Sequence, residues 1–528
     1  MINTISAMLV AVGFLLVLHS QSSRDTWHYI ARINPTLREW VARLLSSPAP
    51  RSVADKWDKI LVLAGALLVG SFILTYKLWA YFGLGTTSDI YSDAQLATSW
   101  LGGPFLHDNY FGNVLSTHTY LFLPLLAVFV APLGPMGLLV ALSLSAAAGF
   151  VAGFKILRLL GVHKTAAWTV AMVLFAAPLS FHFYADDPYG FHVELLAPPM
   201  LLWLVYFALK RSWLGTMLMT VAVISIKEDA PLIVAVACAM IVAEDLVRSF
   251  GSRERPVSPV NWQALTSMLC ALAAVPALLF VLKLNPAKGF SPGSFARLKP
   301  LGNSEVSGIS TLLDYLSANL GTWLSSYQVA SWRSLVLPAT FGLVILRPHL
   351  VLMGAPLTVV SWLMQDDPLW PPRIYGSFAF LQVVLLLGFS TAWALFEFAM
   401  KKGSGGRVAA VILLAALSTG VGYGYRLQFS TVPDAGEVYR MSPKVHYSPE
   451  DRARADALYS IYIRERHAGE PVAASPYLFR YASYRDLYWI YRQTVEPVWI
   501  LADEPYQADA SKYALRGRDG RFYLYRKK

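Results

Sequence analysis

The sequence predicts an all-α polytopic membrane bundle of about eleven or twelve transmembrane helices, followed by a small extracytoplasmic α/β domain. Three observations predict it. Of 528 residues, 55% are hydrophobic and 15% charged, at a mean hydropathy of +0.46, whereas soluble domains carry roughly 25% charged residues. Apolar runs recur near 4–19, 58–80, 136–158, 165–182, 193–209, 212–226, 230–247, 262–283, 333–346, 350–364, 375–399 and 408–425, several of them shorter than the roughly 20 residues that cross a bilayer. Beyond residue 426 these runs stop and charge rises. The expected organisation is an N-terminal anchor and linker over 1–57, a transmembrane domain over 58–426 and a soluble domain over 427–528.

Basic residues set the expected orientation. Lys56 and Lys59, then Lys155, Arg158 and Lys164, then Lys210 and Arg211, then Arg248, Arg253 and Arg255, then Arg347, then Lys401, Lys402 and Arg407 fall in alternate connections, which the positive-inside rule assigns to the cytoplasm. A crossing at 119–132 would put Lys155 on the wrong side. That segment, closed by Gly134-Pro135, is therefore expected to lie at or dip into the outer face. Connections 84–118, 183–192, 226–229, 284–332 and 365–374 then share the extracytoplasmic side with the tail. The net charge of +11 reads as this loop asymmetry, so nucleic acid is not an expected partner and the lipid bilayer is.

Segment 4–19 lacks a basic stretch before it and is followed by Arg24, Arg32, Arg38, Arg43 and Arg51, which suits a retained outside-in anchor; a cleaved signal is the alternative. Trp27, Ile30, Leu37, Trp40, Val41 and Leu44 recur at helical spacing, so 20–56 is expected to include an amphipathic helix on the membrane surface. Cys238 and Cys270 lie inside apolar runs, where they are expected as small core residues, not as a disulfide or metal ligands. In the tail, Ser448 before Pro449 marks a capped helix start, while Pro471–Ser475 and Pro497–Leu501 read as short strands.

Charge at membrane depth is costly and usually functional. Three adjacent ionisable residues, Lys227, Glu228 and Asp229, separate two apolar runs. The alternative is a capping role at the helix that follows, since Pro231 suits a first turn and acids suit its positive end. Asp89 and Asp93 are four apart in a helical pattern, so their carboxylates share a face. One can serve as general base, or the pair can hold a cation; a solvated cap, with Asp89 after Ser88, is the plainer reading. Asp186, Asp187, His192 and Glu194 combine acids, an imidazole and the rings of Phe183, Tyr184, Tyr189 and Phe191, a mixture suited to a sugar or to an interfacial aromatic belt. Gln365, Asp366 and Asp367 form a fourth cluster. Arg297, in a Gly/Pro-rich basic loop, and Arg373, in Trp370-Pro-Pro-Arg-Ile-Tyr375, are cations on a side where topology alone does not require them. His118, at the head of an apolar run, is a ligand, an acid or a structural histidine.

At these residues the sequence resembles a bacterial and archaeal family of integral membrane proteins, catalogued as a domain of unknown function and grouped with the GT-C glycosyltransferase superfamily. The resemblance runs through Asp89 and Asp93 with Gln95 and Trp100, His118, Tyr189-Gly-Phe-His192-Val, Lys227-Glu-Asp-Ala-Pro231 and Val472-Ala-Ala-Ser-Pro-Tyr-Leu478. It covers roughly residues 58–500, and the Lys-Glu-Asp-Ala-Pro run is its most specific part. Gly190 replaces the family's usual aspartate, and counting back from Gly102-Gly103 favours Asp89 over Asp93 as the equivalent acid. The resemblance implies a GT-C-like bundle in the bacterial inner membrane, transferring sugar from a polyprenyl-phosphate donor to a lipid, glycan or protein hydroxyl at the outer face. In that scheme Asp89 is the base, Asp93 and His192 orient the acceptor or a divalent cation, and Lys227 and Arg373 stabilise the leaving phosphate. Asp89, Asp93 and His192 are the candidate metal ligands; His118, Asp187, Glu194, Glu228, Asp229, Arg297 and Tyr375 complete the expected substrate-binding set. A transporter or flippase is the competing reading, although no paired broken helices in related halves are visible. A non-catalytic scaffold recruiting partners through the tail is the third.

Overall fold

Apolar helices build most of the described membrane part because, in lipid, each backbone N–H and C=O must be paired within its own segment. The computed structural model describes residues 51–87, 89–110, 112–116, 118–185, 189–251, 260–284, 340–347, 375–431, 446–490, 495–506, 509 and 511–528. The expected anchor and surface helix before residue 51, the span at 350–364, the cluster Gln365–Asp367, and Asp187, Arg297 and Arg373 lie outside these residues.

The membrane part comprises α1 (Arg51–Phe82), α2 (Asp89–Thr98), α3 (Ala127–Leu133), α4 (Met136–Leu159), α5 (Lys164–Ala176), α6 (Pro178–Ala185), α7 (Ala197–Leu209), α8 (Trp213–Ile224), α9 (Ala230–Gly251), α10 (Trp262–Leu284), α11 (Tyr375–Lys401) and α12 (Gly403–Thr431). Among the described residues, four stretches are long and apolar enough to cross a membrane: Lys59–Phe82, Met136–Leu159, Phe380–Lys401 and Gly405–Gly424. Lys164–Ala176 and Leu179–Ala185 make a fifth if counted together across a 52° bend. Val193–Leu209, Trp213–Ile224 and Trp262–Leu278 are apolar but shorter. The chain is thus a multi-pass membrane protein.

α4 is central, packing against α1, α5 and α7, while α11 packs on α7 and α12. Small residues permit the close approach: a Cβ on Gly149 of α4 would lie 2.9 Å from Phe175 and from Pro199, and tight packing is what holds helices together where lipid removes the hydrophobic drive. Away from the helix starts described below, Arg347 donates to both carboxylate oxygens of the buried Glu244 of α9 at 2.6 Å and to Thr391 of α11 at 2.7 Å. Cys238 is buried as expected, whereas Cys270 is exposed among the described residues.

The segment expected at the outer face forms a 3-10 turn, Leu123–Leu126, and the seven-residue α3, which stops at Gly134 with φ +61°. Leu125 and Val128 are exposed while Leu123 and Val130 are buried, the one-sided burial of a short amphipathic element.

The tail builds the expected α/β cap. Ser448 accepts a hydrogen bond from the Asp451 N–H and opens α13 (Pro449–Glu465). Strands β3 (Val472–Ala474), β4 (Leu487–Trp489), β5 (Trp499–Ala502), β6 (Tyr513–Asp519) and β7 (Phe522–Lys527) form one sheet in the order β4-β3-β5-β7-β6. β3 runs parallel to β4 and β5, whereas β7 is antiparallel to β5 and β6. A separate hairpin, β1 (His107–Asp108) and β2 (Gly112–Asn113), follows α2. α12 continues to Thr431, five residues past the boundary expected at 426.

Candidate active site

α2 carries Asp89 at its first position and Asp93 one turn on. The two acids share a face but not a depth. The Asp89 side chain is 31% exposed and its Oδ2 lies 3.0 Å from His192 Nε2, whereas Asp93 is 6% exposed. Burial pushes the Asp93 carboxyl well above the usual carboxylate range, opposed by the His192 charge and reinforced by Glu194, Asp89 and Asp108. A partly solvated carboxylate held by an imidazole and a buried, protonation-prone acid are thus placed side by side.

The turn that supplies His192 is held by Lys77 of α1, a side chain 1% exposed whose Nζ donates to the Ala185 carbonyl and to the Gly190 carbonyl at 2.6 Å. Gly190 has φ +88°, and a Cβ there would sit 2.9 Å from Thr86 Cγ2. A side chain at this position is therefore strained. Gly190→Ala is expected to cost at least about 1–2 kcal/mol from the left-handed conformation alone, lowering the thermal unfolding midpoint in detergent; an unchanged midpoint would show that the turn can flip to negative φ at no cost.

Two residues past His192, the buried Glu194 accepts from Lys227 Nζ at 2.7 Å and from the Tyr120 hydroxyl at 3.1 Å, both on Oε1. Its Oε2 is buried without a hydrogen-bond partner among the described residues. Burial alone would lower the Lys227 ammonium, but Glu194, Asp229 and Glu228 together raise it above the ordinary lysine range. The Glu228 side chain reaches across to another segment. Its Oε1 meets His118 Nδ1 at 2.9 Å and its Oε2 accepts from the Thr119 N–H at 3.1 Å, fastening the segment before α3 to the start of α9. The Phe122 N–H donating to Ser225 O at 2.8 Å adds to this join. Burial works against the Glu228 carboxylate, yet the His118 hydrogen bond and the His118 and Lys227 charges hold it below its usual range. Asp229 is pushed up by burial and by its acidic neighbours Glu228 and Glu194, against Lys227.

Asp89, Asp93, His118, His192, Glu194, Lys227, Glu228 and Asp229 thus converge where α1 ends and α7 and α9 begin. Tyr375 opens α11, and its side chain is not among those described. Among the described residues no group of three His, Cys, Asp or Glu side chains is arranged to hold a metal ion, Asp89, Asp93 and His192 included.

The cap closes on the same end. Gln95 of α2 donates to the carbonyls of Tyr484 at 2.6 Å and Leu487 at 3.0 Å and accepts from the Asn109 N–H at 2.8 Å. Asn109 donates to the carbonyls of Arg485 and Leu487 at 3.1 Å. Asp108 secures the β1–β2 hairpin, accepting from Ser92 and from the N–H groups of Tyr110 and Gly112.

Residues 93–514 match the family model described as "Predicted membrane protein (DUF2079)". The chain belongs to this family. The match begins at Asp93, so Asp89 lies just upstream of it. No curated protein matches the DUF2079 chain. Among solved structures it is similar to ArnT from Cupriavidus metallidurans bound to undecaprenyl phosphate, at 12% identity and TM-score 0.46 over 89% of this chain and 98% of that one. It is also similar to the Archaeoglobus fulgidus oligosaccharyltransferase in the apo form, at 10% identity and TM-score 0.44 over 83% of this chain and 65% of that one.

In the DUF2079 chain the sequence reading passed over Lys77, Tyr120, Asp108 and Asn109. Lys77 carried a usable signal, as a lone charge near the end of an apolar run. Tyr120 and Asn109 carried none, being ordinary residues until the fold places them.

Proposed function

We propose that this DUF2079 protein is a membrane glycosyltransferase that moves a sugar from a polyprenyl-phosphate donor to a lipid, glycan or protein hydroxyl, with the site and the cap on the extracytoplasmic side of the inner membrane. One observation carries the reading: an accessible carboxylate and a cation belong to one linked array. Asp89 binds His192, and Glu194, two residues on, binds Lys227. The donor class follows from the family resemblance and suits a cation beside the apolar segment 119–133.

Asp89 takes the proton of the acceptor hydroxyl as its oxygen attacks the anomeric carbon. The bond from that carbon to the phosphate oxygen breaks, and its electron pair leaves with the polyprenyl phosphate. Lys227 keeps its ammonium charged beside Glu194 and offsets the charge developing on that phosphate. His192 holds the Asp89 carboxylate in place, and Asp93 supports it from the interior as a neutral acid.

The experiment compares lipid extracts and envelope glycans of wild-type and deletion cells. The deletion is expected to accumulate a polyprenyl-phosphate sugar and to lack one glycan modification, both reversed by wild-type protein and neither by Asp89→Asn. Identical extracts in wild-type and deletion cells would refute the reading.

A further inference from the structure

The cap sits directly on the ends of two membrane spans. Arg480 donates at 2.6 Å to the carbonyl of Phe82, the last residue of the span Lys59–Phe82, and lies over its ring at 5.2 Å. At the second span, Met136–Leu159, a Cβ on Gly134 just ahead of it would meet the Tyr484 ring of the cap at 3.8 Å. The Tyr484 carbonyl in turn accepts from Gln95 of α2 at 2.6 Å. Gln95 therefore lies at the edge of the membrane spans, and Ser99, four residues on, is about 6 Å further along the helical path.

From Ser99 the chain leaves α2 as a tongue, residues 99–106, before entering β1. Trp100, Leu101 and Phe105 are each 49% exposed, and Gly102, Gly103 and Pro104 between them are exposed as well. No Asp, Glu, Lys or Arg stands between Asp93 and Asp108. Internal hydrogen bonds shape the tongue. The Gly102 and Gly103 N–H groups donate to the Ser99 carbonyl at 3.3 and 2.8 Å, and the His107 N–H donates to Ser99 Oγ at 3.3 Å. Its root is the buried Leu106, whose carbonyl accepts from the Val114 N–H at 3.0 Å. The flanks carry further marks of a membrane–water boundary. Trp79 and Phe82 are exposed in the last turn of α1. The exposed Arg485 lies over the Tyr484 ring at 5.8 Å, and its carbonyl accepts from Asn109, beside the tongue, at 3.1 Å. Aromatic rings collect at membrane interfaces, and arginine reaches headgroups from there.

We propose that Trp100, Leu101 and Phe105 insert into the bilayer interface on the cap's side and anchor the far end of α2 to lipid. A run of exposed apolar side chains without charge marks an interaction surface, and its place at the ends of two membrane spans makes lipid the occupant. The tongue is irregular backbone, so it belongs in the hydrated interfacial zone and not in the hydrocarbon core. The anchor stands independently of the glycosyltransferase reading, and it restrains the helix that carries Asp89 and Asp93.

The test is spin-label collision on the full chain in liposomes of phosphatidylethanolamine and phosphatidylglycerol. Single cysteines are placed by Leu101→Cys or Phe105→Cys on a Cys270→Ser background, Cys238 being buried. Leu144→Cys, at an exposed position inside the span Met136–Leu159, is the lipid reference, and Lys512→Cys, on the exposed surface of the cap, is the aqueous one. Molecular oxygen concentrates in the bilayer, whereas charged chromium oxalate is excluded from apolar surroundings. The ratio of oxygen to chromium collisions at both tongue positions is expected to exceed that at Lys512→Cys by about fivefold or more and to approach that at Leu144→Cys. Both tongue positions are exposed, so the labels open no cavity, and either one decides the matter if the other fails to fold. A ratio equal to that at Lys512→Cys overturns the anchor. So does a label shielded from both quenchers whose spectrum sharpens on dilution with unlabelled protein, which would make the tongue a contact between two copies of the chain.

Discussion

Asp89→Asn is expected to lower sugar transfer by about 10²–10⁴-fold, the usual contribution of a positioned general base, while leaving the fold and the binding of donor intact. The amide keeps an oxygen for His192, and the position is partly solvated, so removal of the charge leaves no buried orphan. What disappears is the capacity to take a proton. Transfer by purified protein from a polyprenyl-phosphate sugar measures it, with the unfolding midpoint as control. Asp93→Asn should behave differently: Asp93 is buried and its neutral form is favoured there, so an amide mimics its working state and the loss should be at least tenfold smaller. If Asp93→Asn proves the more damaging, the base has been assigned to the wrong acid.

Lys227→Met is expected to destabilise the protein and abolish transfer, for separable reasons. Glu194 has a 6% exposed side chain and relies on Lys227 and the Tyr120 hydroxyl. Removing the ammonium strands a buried carboxylate, a change that typically costs about 3–5 kcal/mol. Adding Glu194→Gln removes the stranded charge and should restore most of the unfolding midpoint, but not transfer, because no cation then faces the leaving phosphate. A double variant as unstable as the single one would deny the pair its structural role. One that transfers sugar normally would deny Lys227 its chemical role. The pH dependence has a definite sign: since the folded ammonium is raised, the pair's stabilisation is fully present below the ordinary lysine value, roughly 10.4, and is lost only as pH climbs through the higher folded value.

The expected features that the described residues reproduce are those written in short stretches of chain. The α13 start was legible because Ser448 and Pro449 act within one turn, and β3 and β5 because brief apolar runs sit between proline and polar residues. The end of α3 was legible from Gly134-Pro135. A missed local signal was Gly520-Arg521, the two-residue turn between the paired Asp519 and Phe522 that joins β6 to β7, with Gly520 at φ +58°; glycine at the first turn position suits such a hairpin. The site was legible in its membership only. Asp89 and Asp93 are alike in type and spacing, and their different solvation arises from what covers α2: Gln95 and Asn109 gripping the cap, and His192 arriving on a turn fastened by Lys77.

The sequence by itself determined that this is a multi-pass membrane protein with a folded tail and a small set of acids, imidazoles and one lysine set between its apolar runs. Run length, helical period and caps are properties of neighbouring residues, and their energies do not wait for the rest of the chain. Only the tertiary structure decided that Lys227 meets Glu194, that Glu228 reaches His118, that a Cβ on Gly190 would crowd Thr86, and that the cap sets Phe479 against Tyr91. Those outcomes depend on distance and burial between segments up to hundreds of residues apart, and electrostatic and packing energies are functions of that geometry alone.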